Sequence, residues 1–216
     1  MARVLFPHLF CGESSEALDL QRMAIRVSLP AEKIIFLEGE PANNVFGLSE
    51  GVVRLFKLMP DGRRQIVALA LPGEFLEMPT LNGHRHSATA IGEVELCRFP
   101  RDQLASYIRS NPRLMSLLIE FAARQLNMAQ DQLLMLGKGS AEEKISFFLV
   151  TWRNRMAALE PLPEYLPLPM WREDIADSLG LTVETVSRTL SRLEKKNALR
   201  IVPKGVILTG LAPKPT

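Results

Sequence analysis

Glu184, Thr185, Ser187 and Arg188 bring a carboxylate, two hydroxyls and a guanidinium together within a few positions of this 216-residue chain. Such a set suits hydrogen bonding to a flat polar edge. A guanidinium like that of Arg188 can donate two parallel bonds to guanine O6 and N7. A carboxylate like that of Glu184 can accept from cytosine N4, and a short hydroxyl like that of Ser187 can meet a base or a thymine methyl. Each good contact discriminates by about 1–3 kcal/mol. Beyond Arg188 come Arg192, Lys195, Lys196, Arg200 and Lys204, opposed only by Glu194. This local excess is what a polyanion needs, although the formal net charge of the chain is only +2. A solvated helix face would carry the same charges, so charge alone does not separate the two readings.

The elements that must position these side chains do separate them. Residues 170–178 read as a short amphipathic helix, and Leu179-Gly180-Leu181 as a turn in which Gly accepts the left-handed conformation. Thr182 is an N-cap for a second helix to about residue 196, whose apolar positions Val183, Val186, Leu190 and Leu193 are expected to face its own domain. Small Ala176, Gly180 four places on and Val186 six beyond that form a helix-turn-helix signature. Residues 199–209 read as two short strands around Pro203-Lys204-Gly205, a wing with Lys204 at its tip, suited to a phosphate. The partner these features imply is double-stranded DNA. No nucleophile–base pair, phosphate-cradling loop or metal-ligand set is found in the sequence, so an enzyme is not expected.

Upstream the pattern is different. Residues 20–100 carry short β-rich runs (33–36, 45–48, 52–58, 65–71, 93–99), separated by turn residues such as Ser49-Glu50-Gly51, Pro60-Asp61-Gly62 and Gly92. Many short strands at this spacing predict a compact sandwich or roll. From Asn111-Pro112 to Gly137 there is neither Pro nor Gly, and Ile119, Ala122, Leu126, Ala129, Leu133 and Leu136 recur in steps of three and four. That is a heptad stripe. A second stripe, Leu118, Phe121, Met128 and Met135, lies beside it. One face can lie on the β-domain; the other favours a parallel homodimer, the alternative being that both pack within one chain. Gly137-Lys138-Gly139-Ser140 reads as a hinge, with Ser140 capping a third helix, and the four prolines of residues 159–169 demand an extended connection.

The order β-domain, long helix, hinge and winged helix-turn-helix resembles the Crp/Fnr family of bacterial regulators across nearly the whole chain. The match is strongest in Asp174-Ile175-Ala176-Asp177-Ser178-Leu179-Gly180-Leu181-Thr182-Val183-Glu184-Thr185-Val186-Ser187-Arg188. The resemblance implies an α+β fold: an N-terminal double-stranded β-helix (a jelly roll like cyclic-nucleotide-binding domains) over residues 1–110, a dimerisation helix over 111–137 and a winged helix-turn-helix domain over 138–216. In the Fnr and FixK branches a Glu-x-x-Ser-Arg pattern reads TTGAT-type half-sites, here Glu184, Ser187 and Arg188, which implies a TTGAT-N4-ATCAA-like palindrome. Thr182, Thr185 and Arg192 complete the face expected on the duplex. The resemblance also implies an activator that contacts RNA polymerase, and the tip at Met59-Pro60-Asp61-Gly62-Arg63-Arg64 is one surface that could do so, or a plain solvated turn.

Departures from the family bear on the signal. Gly73-Glu74 is similar to one half of a cyclic AMP phosphate site, but His86-Ser87 stands where Arg-Ser is expected. Cys97-Arg98-Phe99-Pro100 resembles an iron–sulfur ligand segment, yet Cys11 is the only other cysteine, and a cluster needs four ligands. Cys97 is expected to be a small buried hydrophobe, and a redox role for Cys11 stays open. His84 and His86 lack a third convergent metal ligand and, like His8, an evident acidic partner in sequence. No cofactor and no metal is expected; the alternative is a β-roll that binds haem, nitric oxide or another small effector. No apolar run approaches the roughly 18–20 residues needed to cross a bilayer, and no signal-peptide pattern is seen, so the expected location is cytoplasmic, with no membrane partner.

Overall fold

The computed structural model describes residues 14–77 and 83–210, apart from the Lys138 side chain. Cys11 and His8 lie outside them. The chain divides into two compact units, one running to Gln125 and the other from Leu126 onward.

The first unit opens with helix α1 (Ser15–Met23), which the sequence did not announce. The Ser14 hydroxyl accepts the Ala17 N–H at 3.2 Å, and Ala17 and Leu20 are buried. Strands β1 (Ile25–Leu29), β2 (Ile34–Phe36), β3 (Asn44–Leu58), β4 (Arg64–Ala70) and β5 (Ser87–Pro100) follow. All pair antiparallel in the order β1-β5-β3-β4, with β2 also on β5. The expected turn at Ser49-Glu50-Gly51 is instead a bulge within β3, where the register to β5 shifts on either side of Glu50. Gly51 has φ of 86°, and a Cβ there would drive into the Glu93 carbonyl oxygen and the Val94 side chain. Bulge and turn both need a left-handed glycine, and only cross-strand pairing tells them apart. Gly92 likewise stays inside β5. The two long strands β3 and β5, with β1, β2 and β4 paired to them, make the β-roll of this unit.

Helices α2 (Arg101–Ser110) and α3 (Pro112–Lys138) close the roll. Pro112 takes the first helical position, where no N–H is missed, and Asn111 Oδ1 accepts the Leu114 N–H at 3.0 Å. Leu114, Leu118 and Phe121 are buried in one cluster with Phe75, Phe99 and Cys97. The thiol of Cys97 lies 3.2 Å from the Ser49 hydroxyl and is 2% exposed, a small buried side chain as expected.

In the second unit the helix continues through Gly137, so the break is narrower than the expected hinge. The Gly139 N–H closes onto Met135 O at 2.9 Å, and Ser140 and Glu143 form a reciprocal capping box that starts α4 (Ala141–Leu159). The proline-rich connection contributes a short strand, β6 (Leu166–Pro167), held by Trp152 Nε1 donating to Pro167 O at 2.9 Å. Then come α5 (Arg172–Leu179), α6 (Val183–Lys195), β7 (Leu199–Val202) and β8 (Gly205–Leu208), with sheet order β6-β8-β7.

Leu114 is 1% exposed and sits where α3 meets the roll. Leu114→Ala is expected to lower unfolding stability by about 2–5 kcal/mol, read as a lower urea midpoint.

Candidate nucleic-acid interface

The reading face is built by the crossing of α5 and α6. The Trp171 N–H donates to Asp174 Oδ2 at 3.1 Å and starts α5. Gly180 ends it in the left-handed region, with φ of 61°, and the Leu181 N–H returns to Ala176 O at 3.0 Å. Ala176 and Val186 are 1% and 0% exposed, so the close packing required by the signature is present. Thr182 accepts the Thr185 N–H at 3.1 Å and opens α6. Val186, Thr189, Leu190 and Leu193 are buried, but Val183 is 40% exposed. It occupies the first helical position and overhangs the core, which corrects its expected inward orientation.

On the outer face, Glu184 and Arg188 are both exposed and lie 3.7 Å apart, one helical turn from each other. An exposed pair of this kind stabilises the helix little and leaves both groups available. Ser187 is half-buried, and Arg172 Nη1 donates to its hydroxyl at 2.9 Å. Neither Arg172 nor Trp171, which is 70% exposed beside it, was singled out from the sequence. A basic residue opening the first helix was the available signal. Ser187, Arg188, Ser191, Arg192 and Lys195 line one open concavity. Lys196 is turned away from this surface: its Nζ pairs with both Glu142 oxygens at 2.7 and 2.9 Å. Glu194 is also occupied, accepting the Ile201 N–H at 2.7 Å at the base of the wing. Lys204 is exposed in the β7–β8 turn, as the wing reading requires.

Along α3, Ile119, Leu126 and Leu133 are 63%, 59% and 68% exposed. Ala129 is exposed, and Ala122 and Leu136 are half-buried. Leu118 and Phe121 of the second stripe are buried on the roll. Two faces therefore exist, and the heptad face is bare in the single chain.

Inside the roll, His84-Arg85-His86 is not an idle polar tip. Glu77 Oε2 lies 2.7 Å from Nδ1 of His84. Its Oε1 accepts the Arg85 and His86 N–H groups at 2.9 and 3.2 Å and lies 3.2 Å from Nδ1 of His86. The acidic partner that could not be found in sequence is Glu77. Burial alone would push the Glu77 carboxyl up; the bonds from the His86 and His84 rings and the Arg85 N–H outweigh it and hold the group below its usual 4.5. Among the described residues no group of three His, Cys, Asp or Glu side chains could hold a metal ion, and no helix is long and apolar enough to cross a membrane.

Comparison with known proteins agrees with this geometry. Residues 26–111 match the cyclic nucleotide-binding domain, and residues 168–198 match the bacterial regulatory proteins of the crp family. The transcriptional activatory protein AadR of Rhodopseudomonas palustris is 48% identical, covering 91% of this chain and 83% of its own. The nitrogen fixation regulation protein FixK of Bradyrhizobium diazoefficiens is 42% identical with the same coverage. The solved structure of FixK2 from Bradyrhizobium japonicum superposes with a TM-score of 0.79 at 34% identity, over 86% of this chain and 92% of that one.

The matched domain class implies a cyclic nucleotide, and the residues present do not fit one. Glu74 Oε2 accepts the Leu71 N–H at 3.0 Å, and Ser87 Oγ accepts the Glu38 N–H at 3.1 Å. The backbone N–H groups of Arg85 and His86 and the His86 ring already hold a carboxylate, and a second anion there would meet the charge of Glu77.

Because the folded pKa of Glu77 lies below the unfolded one, its contribution to stability is present above about pH 4.5 and lost as pH falls through the folded value. Thermal melts from about pH 5 to about pH 3 should show the gap between wild type and Glu77→Gln closing on acidification. A gap that widens would contradict the assignment.

Proposed function

The chain belongs to the Crp/Fnr family as a FixK-like DNA-binding transcriptional activator, and from that premise we propose that it reads a TTGAT-N4-ATCAA-like palindrome as a homodimer. The observation that carries the operator reading is the pairing of Glu184 and Arg188 one turn apart on the exposed face of α6, with Ser187 between them held by Arg172. Arg188 takes guanine O6 and N7, Glu184 accepts from cytosine N4, and Ser187 meets the neighbouring base edge. Thr182, Thr185 and Arg192 flank these contacts. Lys204 takes a phosphate at the wing and sets register without specifying sequence.

The dimer rests on the bare heptad positions Ile119, Leu126 and Leu133, with Ala122, Ala129 and Leu136 completing the seam. A two-fold pair of reading heads matches an inverted repeat. RNA polymerase is the further partner of an activator. The β3–β4 tip offers it an ordered surface, with Arg63 Nε donating to Asp61 at 2.7 Å beside Leu58 and Met59, which are 65% and 45% exposed.

Selection of bound sequences from random duplex DNA should enrich the TTGAT-type palindrome; enrichment of a TGTGA-type palindrome would refute the assignment of Glu184, Ser187 and Arg188. Arg188→Ala should cost about 1–3 kcal/mol of specific binding and relax one operator position, whereas Lys204→Ala should weaken all sequences alike and reduce the salt slope by about one. Leu126→Glu or Leu133→Glu should weaken the dimer and operator binding together. A wild-type chain that is monomeric by light scattering at micromolar concentration would overturn the seam.

A further inference from the structure

Four polar contacts converge on the Glu77 carboxylate, whose side chain is only 10% exposed, and all four come from the run His84-Arg85-His86. The run is held from behind. The His84 ring stacks on Phe36 with centroids 3.7 Å apart and planes 8° from parallel. The backbone N–H of His84 donates to Glu40 O at 3.0 Å, and its carbonyl accepts the Gly39 N–H at 2.8 Å. Two consecutive backbone N–H groups turned to one point make an anion-binding concavity. Here the concavity has ring nitrogens at its sides and no guanidinium or ammonium among the contacts on Glu77. Such a donor set suits a single carboxylate better than a doubly charged phosphate.

We propose that Glu77 is a built-in anion, filling the anion seat of the β-roll in place of the acidic group of a diffusible ligand. The carboxylate is tethered a few residues from its seat, so its effective concentration exceeds that of a dilute metabolite. An incoming carboxylate or phosphate must displace it and then remain beside its charge. The roll therefore keeps the arrangement of a filled site without any effector. This inference concerns the roll alone and stands or falls independently of the operator reading.

Removing the carboxylate should expose the seat to anions from solution. In sodium chloride the full-length Glu77→Ala chain is expected to melt about 5 °C or more below wild type. Sodium acetate, at matched ionic strength and pH, should recover most of that loss saturably, with inorganic phosphate less effective and wild type unmoved. Equal melting in chloride, acetate and phosphate would overturn the proposal, as would an acetate gain in wild type as large as in the variant. Should Glu77→Ala not fold in chloride, acetate present during refolding should restore its helical circular dichroism, and failure to do so counts against the seat. Glu77→Gln keeps the shape and one acceptor oxygen. It should melt between the other two and ignore acetate; a Gln variant rescued as strongly as Ala would also refute the idea.

Discussion

Helix α3 offers apolar side chains to two sides, and the β-roll covers only one of them. Leu114, Leu118 and Phe121 are buried with Phe75 and Phe99, whereas Ile119, Leu126 and Leu133 stay roughly three-fifths exposed. Fully burying a Leu or Ile side chain is worth about 1.5–3 kcal/mol, so the bare stripe holds back a substantial part of what the helix could gain. Much else follows from this division. The buried stripe fixes α3 to the roll, and the other stripe leaves Ile119, Leu126 and Leu133 facing outward along the helix. Further along, in the second unit, Gln132 Nε2 donates to Ser178 O at 3.3 Å and ties the helix to the C-terminal end of α5.

The same economy governs charge near the reading face. Six cations between Arg188 and Lys204 look equivalent in sequence, yet they are not equivalent in space. Lys196 is spent on Glu142 of α4, while Arg188, Arg192 and Lys195 line the concavity with Ser187 and Ser191. Glu194, which in sequence dilutes the positive run, accepts the Ile201 N–H at the base of the wing.

What could be read from sequence was whatever repeats with a period or depends on one residue type at one position. Ala176, Gly180 and Val186 announced the helix crossing, Thr182 and Ser140 announced caps, and the heptad announced an apolar stripe that the roll leaves exposed. Harder to read were features defined by a second segment. Gly51 looked like a turn because a bulge makes the same demand on φ, and only β5 distinguishes them. Helix α1 is too short for its periodicity to stand out. Arg172 finds Ser187 across the helix crossing, and Glu77 finds His84 and His86 seven and nine residues on, neither at a spacing that periodicity exposes. Val183 failed for a different reason: a position on the apolar arc is not buried when it begins a helix beyond the edge of the core.

The corner between α3 and α4 has a mechanical consequence. Only Gly139 and Ser140 separate the two helices; the N–H of Gly139 closes onto Met135, and Ser140 exchanges bonds with Glu143. A side chain at position 139 would press within 2.8 Å of the Met135 carbonyl oxygen, so the tight corner depends on glycine there. With both helix ends already bonded there is no slack chain to absorb a twist. The joint is a short elbow of two residues, each already committed to the end of the helix beside it.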